Sequence, residues 1–120
     1  MTEIVYMRQG DGAELCLAGH ADYSAGHDPV CAALSILVHT LADALRAEEK
    51  AGRVEKLCLS LQKGRAEIRF TLTGKDRRSA EARMGVILRG FALLADSYPE
   101  YVCLKCEKSG GEIFSIIEYP

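Results

Sequence analysis

Cys31 is the residue of this 120-residue chain whose position most favours chemistry. It follows Asp28, a residue type that caps helices, and Pro29, which suits the first helical position, so a helix is predicted to begin at Pro29. Cys31 then lies in the first turn, where the positive end of the helix dipole and unpaired backbone N–H groups favour a thiolate over a thiol. This position indicates a nucleophilic cysteine.

The three histidines are the candidate bases for such a nucleophile. His39 lies on the same side of the predicted helix, but the rise of 1.5 Å per residue places it ~12 Å from Cys31, beyond hydrogen-bond reach. His20 and His27 lie in the glycine-bearing segment before the helix, which can fold back over the helix start. Sequence geometry alone does not choose between these two.

The segments around these residues form a motif, which is Gly19-His20-Ala21 followed by Gly26-x-Asp28-x-Val30-Cys31-Ala32-Ala33 and Ser35. This motif resembles the signature of the ribosomal-processing cysteine proteases, small bacterial enzymes with a Cys/His dyad. The chain length and the order of elements resemble that family from end to end. Pro29 stands where the family usually has an aliphatic residue, and it fits because proline is a good first helical residue.

The resemblance implies a role for several of these residues. Cys31 is the implied nucleophile and His20 the implied proton-transfer partner, because His20 lies in the Gly-His-Ala motif whereas His27 occupies a variable position. Gly19 and Ala21 are implied to support the site. The implied substrate is an N-terminal extension on the twenty-seventh large-subunit ribosomal protein, removed before that protein serves in the ribosome. We expect no cofactor.

Two other residues near the predicted helix start have alternative interpretations. Asp28 either orients His20 as a third catalytic member or only caps the helix, and capping is favoured because it already explains the residue. Ser35 either lines a substrate cleft or hydrogen-bonds the helix backbone. We expect the N–H groups of Cys31 and its neighbours in the open first turn to hold the oxyanion. The His20 loop is expected to be mobile and to close around substrate.

Composition excludes several other classes of protein. With 120 residues, of which 48% are hydrophobic, the chain is predicted to form one domain over residues 1–120. A net charge of −2 and a pI near 5.9 argue against direct nucleic-acid binding, which favours a basic face. We find no signal peptide and no apolar run of ~18 residues, so we expect a cytoplasmic protein without membrane contact and with reduced thiols.

The other four cysteines are interpreted as small buried hydrophobic residues of strands, and they are Cys16, Cys58, Cys103 and Cys106. Cys103 and Cys106 have the CxxC spacing of zinc and redox sites, but residues three apart on a strand point to opposite faces. No second CxxC or HxxxH completes a tetrahedral set. We therefore expect no metal site and no disulfide.

The hydrophobic pattern predicts eight elements in the order ββαββαββ. The predicted strands are Glu3–Arg8, Ala13–Ala18, Val54–Gln62, Arg65–Thr73, Tyr101–Glu107 and Glu112–Tyr119. One predicted helix runs from Pro29 to about Lys50, and the other is capped by Asp76 and stops before Pro99. This order predicts an α+β two-layer sandwich, a mainly antiparallel sheet with two helices on one face.

The second predicted helix has more apolar surface than one sheet requires. Val86 and Leu93 fall outside its main stripe, beside Gly85 and Gly90. We expect a symmetric homodimer that buries this surface, as the family resemblance also implies. Two competing functions are a non-catalytic dimeric adaptor on the assembling ribosome, with Cys31 a buried helix thiol, and a thiol-dependent esterase or amidase of small molecules.

Overall fold

The computed structural model describes residues 1–108 and residue 113. Within them the elements follow the order ββαββαβ. The strands are β1 (Thr2–Gln9), β2 (Gly12–Ala18), β3 (Val54–Gln62), β4 (Arg65–Leu72) and β5 (Val102–Glu107), and the helices are α1 (Pro29–Lys50) and α2 (Arg77–Ser97). The predicted last strand, Glu112–Tyr119, lies outside the described residues except for Ile113, which forms an isolated antiparallel bridge with Glu107.

The five strands form one mixed sheet in the order β3-β4-β2-β1-β5. The pairs β3–β4, β4–β2 and β2–β1 are antiparallel, whereas β1 and β5 are parallel. Both helices pack on one face of this sheet, so alternate strand residues are buried, as Ile68 and Phe70 are in β4. The predicted α+β fold, a mainly antiparallel sheet with helices on one face, is confirmed.

The pairing of β2 with β4 positions two distant parts of the chain next to each other. Ala18, at the end of β2, is paired with Arg65, at the start of β4. The N–H of Gly19 donates to the carbonyl oxygen of Gly64 at 2.9 Å. The turn between β3 and β4 therefore lies beside the segment that leaves β2, which carries His20.

The two helices contact each other closely at Gly90 of α2. A Cβ atom at this position would lie 2.6 Å from Cδ2 of Leu37 in α1, so packing within the monomer explains this glycine. A Cβ atom at Gly85 would have no atom within 4 Å, so close packing within the described residues does not explain that one.

A buried carboxylate also ties α1 to α2. The Glu48 side chain is 2% exposed and accepts hydrogen bonds from the guanidinium groups of Arg53 and Arg83. The pKa of the Glu48 carboxyl lies below its ordinary value, and the hydrogen bond from Arg83 is the largest cause of this shift. Burial acts in the opposite direction and raises the pKa. The ion pair thus keeps Glu48 charged inside the fold.

The start of α2 differs from the predicted cap. Asp76 precedes the helix, but its side chain makes no capping hydrogen bond. Its backbone is left-handed, with φ of 47° and ψ of 43°, whereas a side chain that caps a helix usually comes from an extended backbone. The prediction that the Asp76 side chain caps the helix is therefore wrong. The predicted position of the helix is correct, because α2 begins at the next residue and ends before Pro99.

Helix α1 has the length and hydropathy of a membrane-spanning segment when judged by those two properties alone. The expectation of no uninterrupted apolar run of ~18 residues is a different criterion and still holds for α1, because Ser35, His39 and Asp43 interrupt its apolar residues. The apolar residues of α1 have a structural explanation, because a buried stripe that includes Val30, Leu34 and Leu41 packs against the sheet. A core helix satisfies the same two criteria.

The four strand cysteines fall into two groups. Cys106 is buried and Cys16 is half-buried, and burial is the main cause that raises the pKa of each thiol to about 11. Cys58 and Cys103 are exposed, so the prediction of burial is wrong for these two. They lie on the face of the sheet that the helices leave uncovered. Cys103 and Cys106 do point to opposite faces, as the strand spacing predicts.

Candidate active site

Cys31 lies in the first turn of α1 and is half-buried. Asp28 precedes the helix with an extended backbone, and Pro29 occupies the first helical position, as the sequence predicts. The side chain of Cys31 packs against the core formed by its buried neighbours in α1 and the sheet. Cys31 also lines a cavity that opens to solvent.

The Asp28 carboxylate accepts four backbone hydrogen bonds. One oxygen accepts from Val30 at 2.9 Å and from Cys31 at 3.1 Å. The other accepts from Tyr23 at 2.9 Å and from Ser24 at 3.3 Å. Desolvation raises the pKa of the Asp28 carboxyl, but the N–H donors outweigh it, so this pKa lies below its ordinary value. The geometry favours capping over a role as third catalytic member.

These bonds occupy the donors that the sequence assigns to the oxyanion. The Cys31 N–H is directed at the Asp28 side chain, and the Ala32 N–H donates to the Asp28 carbonyl oxygen at 3.0 Å. The prediction that the first turn offers unpaired donors beside the sulfur is therefore wrong. The physical reason is the cap itself, which satisfies the groups that an uncapped helix leaves unpaired.

A different backbone group reaches the sulfur. The Ala21 N–H donates to Sγ of Cys31 at 3.3 Å. Ala21 is 1% exposed, so its methyl group is fixed in the core while its N–H faces the thiol. The segment before α1 does fold back over the helix start, and it brings His20 to the same side of the helix.

His20 and Cys31 line one cavity of about 380 Å³. One wall is the first part of α1 and the other is the turn between β3 and β4. The remaining lining residues are Thr2, Leu17, Gly19, Leu34, Ser35, Val38, His39, Leu61, Gln62, Lys63, Gly64, Arg65 and Ala66. The cavity thus brings together four of the candidate site residues, Gly19, His20, Cys31 and Ser35. Asp28 and Ala21 adjoin it. His27 is exposed and does not line it.

The His20 imidazole lies against Gly64 in the β3–β4 turn. A Cβ atom at Gly64 would be 2.9 Å from Nε2 and 3.0 Å from Cε1 of this ring. Gly64 also has a φ of +76°, a conformation that favours glycine. The imidazole therefore occupies space that only a glycine at position 64 leaves open.

The loop between β2 and α1 is attached to the body of the protein at Tyr23. The Tyr23 ring packs edge-on against the rings of Tyr98 and Tyr101, with centroid distances of 5.4 Å and 5.1 Å. The Tyr23 N–H is bound by Asp28, so ring and backbone of the same residue are held. Closure of the loop around substrate stays a prediction.

Two parts of the cavity were missed by the sequence reasoning. The β3–β4 turn, with Lys63 and Arg65, is far from Cys31 along the chain, and its hairpin signal does not reveal which strand β4 pairs with. For His39 the sequence predicts only that it is too far from Cys31 to be the base. It lies two helical turns beyond Cys31 and lines the far part of the cavity, so it extends the groove.

Comparison with known proteins gives one family and several similar structures. Residues 1–103 match the family model described as cysteine protease Prp. The ribosomal processing protease Prp from S. aureus, solved with a covalently linked product peptide, is similar in fold, with a TM-score of 0.66 and 19% identity over 89% of this chain and 100% of that one. No match was found among the curated proteins.

Two further structures are similar. SMU.848 from Streptococcus mutans is 26% identical, with a TM-score of 0.62 over 91% of this chain and 96% of that one. The S. aureus protease in complex with a substrate peptide is 16% identical, with a TM-score of 0.62 over 89% of this chain and 100% of that one.

Proposed function

Because the chain belongs to the family of the cysteine protease Prp and is a cysteine peptidase, we propose that it removes the N-terminal extension of a ribosomal protein by a Cys31/His20 dyad. The proposed substrate is the twenty-seventh protein of the large subunit. The observation that carries the proposal is the shared cavity, which both Cys31 and His20 line. The similar S. aureus enzyme is described as a ribosomal processing protease, which supports this substrate class.

The proposed mechanism is acyl transfer through a thioester. His20 accepts the proton of Cys31, and the thiolate attacks the scissile carbonyl carbon. The carbon–nitrogen bond then breaks, and the protonated His20 gives its proton to the leaving amine. Water hydrolyses the thioester with His20 as the base, which releases the excised extension with a new carboxylate.

The shape and polarity of the cavity support an extended peptide as the occupant. The groove runs along α1 from Cys31 to His39, ~12 Å, which equals three to four residues of extended chain at ~3.3 Å each. Apolar side chains such as Leu34 form much of its lining, and among the described residues the lining carries Lys63 and Arg65 but no carboxylate. We therefore propose that apolar substrate residues bind next to the scissile bond.

We also propose that the enzyme is a symmetric homodimer that acts in the cytoplasm. Val86 and Leu93 are 70% and 65% exposed on the outer side of α2, and no atom in the part of the chain that the structure describes lies within 4 Å of a Cβ placed at Gly85. A second copy placed on this surface would bury these side chains, which is favourable for a domain this small. The cytoplasmic location follows from the proposed substrate, because ribosomes assemble there.

The experiment that tests the proposed function uses the ribosomal protein with its extension as substrate and mass spectrometry as the readout. We expect the wild-type chain to release the extension as one peptide and Cys31→Ala to release none. Cys103→Ala is the matched control, because it removes an exposed thiol outside the cavity, and it should cleave at the wild-type rate. An extended protein left intact by wild type would favour the adaptor, or the esterase if model esters are hydrolysed.

A further inference from the structure

An oxyanion forms close to Cys31 in the proposed reaction and requires a hydrogen-bond donor. When Sγ bonds to the carbonyl carbon, the carbonyl π electrons move onto oxygen, and the new negative charge lies about 3 Å from the sulfur. Loss of one such donor usually lowers kcat by about 10²–10³-fold. An N–H group beside Sγ is therefore required.

The helix start does not supply this donor. The N–H groups of Val30 and Cys31 are both bound by the Asp28 carboxylate, and that of Ala32 is bound by the Asp28 carbonyl. Releasing any of them would break the cap of α1. The donor must come from another segment.

We propose that the backbone N–H of Ala21 is the oxyanion donor, an inference that rests on the proposed role of Cys31. This N–H already lies 3.3 Å from Sγ. The position of the group is fixed, because Ala21 is buried and the nearby Gly19 N–H is bound to Gly64. Fixed donors aimed at developing charge need no rearrangement during the reaction.

The same N–H serves two acceptors in turn. In the resting enzyme it donates to Sγ of Cys31. Formation of the S–C bond removes the negative charge from sulfur and creates it on oxygen, so the hydrogen bond moves from Sγ to the oxyanion. When the carbon–nitrogen bond breaks, the electron pair returns to the carbonyl and the amine leaves with the proton from His20. The Ala21 N–H is thus bound most strongly in the tetrahedral intermediate.

Cys31 itself makes a backbone test practical. A synthetic segment of residues 1–30 can be joined by native chemical ligation to a segment that begins at Cys31. Three full-length chains are compared: the all-amide chain, Ala21→lactic acid and Ala25→lactic acid. Each lactic acid replaces one N–H by an ester oxygen. Ala25 is the matched control, because it is exposed in the same loop and does not line the cavity.

We expect only the Ala21 variant to lose activity, and only in the acyl-transfer reaction. Its kcat should fall about 10²–10³-fold with KM unchanged, while the Ala25 variant matches the all-amide chain. Alkylation of Cys31 by iodoacetamide forms no oxyanion, so at a pH where the thiol is fully ionised its rate should change less than about threefold. Rates are normalised to the folded fraction from circular dichroism.

Two outcomes would overturn the inference while the proposed function stands. One is an Ala21 variant that cleaves like the all-amide chain. The other is an equal loss in cleavage and alkylation, since the N–H would then serve the sulfur alone. An all-amide chain that cleaves no extended ribosomal protein would instead defeat the proposed function, and the inference with it.

A second measurement uses the unaltered protein and does not depend on the folding of an ester variant. A peptide aldehyde adds to Cys31 and gives a tetrahedral oxygen at the oxyanion position. The amide proton of ¹⁵N-labelled Ala21 should then move downfield, and it should not do so with the corresponding uncleavable peptide amide. An Ala21 resonance that is unchanged by the aldehyde would overturn the inference.

Discussion

Gly64→Ala would place a methyl group where the His20 imidazole lies. The added Cβ atom would be 2.9 Å from Nε2 and 3.0 Å from Cε1, whereas ordinary contact begins near 3.4 Å. The imidazole must therefore move by at least 0.5 Å, which is 3.4 minus 2.9. Because the ring is the end of a flexible side chain, it moves more easily than the backbone of the β3–β4 turn.

This displacement has two separable consequences. The methyl group on a backbone with φ of +76° costs about 1–2 kcal/mol of stability. For a domain of this size that loss lowers Tm by roughly 4–8 °C. Misplacement of a catalytic group by about 1 Å can cost about 10²-fold in rate, so we expect kcat/KM to fall on the order of 10–100-fold.

Gly10→Ala separates these two effects. Gly10 lies in the hairpin turn between β1 and β2 with φ of +58°, and a Cβ atom there would have no atom of the described residues within 4 Å. The Tm should fall by a similar amount while kcat/KM for a peptide spanning the cleavage junction stays at the wild-type value. If Gly64→Ala cleaved as fast as Gly10→Ala, then His20 would not act from the position seen here, and the reasoning from the cavity would be refuted.

Three further results are expected. His20→Ala should lower kcat/KM at least about 100-fold, and His27→Ala should lower it less because His27 lies outside the cavity. If His27→Ala lowered kcat/KM more than His20→Ala in the peptide assay, His27 would be the base. Val86→Asp combined with Leu93→Asp should convert the proposed dimer into a species near 13.1 kDa in sedimentation, and a wild-type chain of that size would refute the dimer. Glu48→Gln should lower Tm by roughly 4–8 °C at pH 7, since about 1–2 kcal/mol of charged hydrogen bonding is lost. Because the folded-state pKa of Glu48 is depressed, the stabilisation by this carboxylate is present above the unfolded pKa of about 4.3 and is lost as pH falls below that value. Equal thermal midpoints of wild type and variant at pH 7 would contradict this role.

Local signals explain why much of the fold could be predicted from the sequence. Asp28 and Pro29 mark the start of α1 by their own backbone preferences, and the alternation of Ala66, Ile68 and neighbouring residues marks the buried face of β4. Such preferences act within a few residues of the chain, so they fix element boundaries to within one or two positions. They also placed Cys31 correctly in the first turn.

The rest of the site depends on contacts between distant residues. The β3–β4 turn forms a wall of the cavity only because β4 pairs with β2, and no local signal in Lys63-Gly64 indicates that pairing. The exposure of Cys58 likewise depends on which face of the sheet the helices cover. Recognising Asp28 as a cap does imply that nearby N–H groups are occupied, so two of the sequence expectations were incompatible, and only the geometry revealed Ala21 as the group beside the sulfur.

The central claim is that Cys31 carries the excised extension as a thioester during the reaction. It is tested by mixing the enzyme with the extended ribosomal protein, quenching with acid during the first turnover, and measuring the intact mass of the enzyme. We predict a species heavier by the acyl mass of the extension, located on Cys31 by fragmentation and absent from Cys31→Ala. An acyl group on another cysteine, or cleavage of the substrate by Cys31→Ala at the wild-type rate, would contradict the claim.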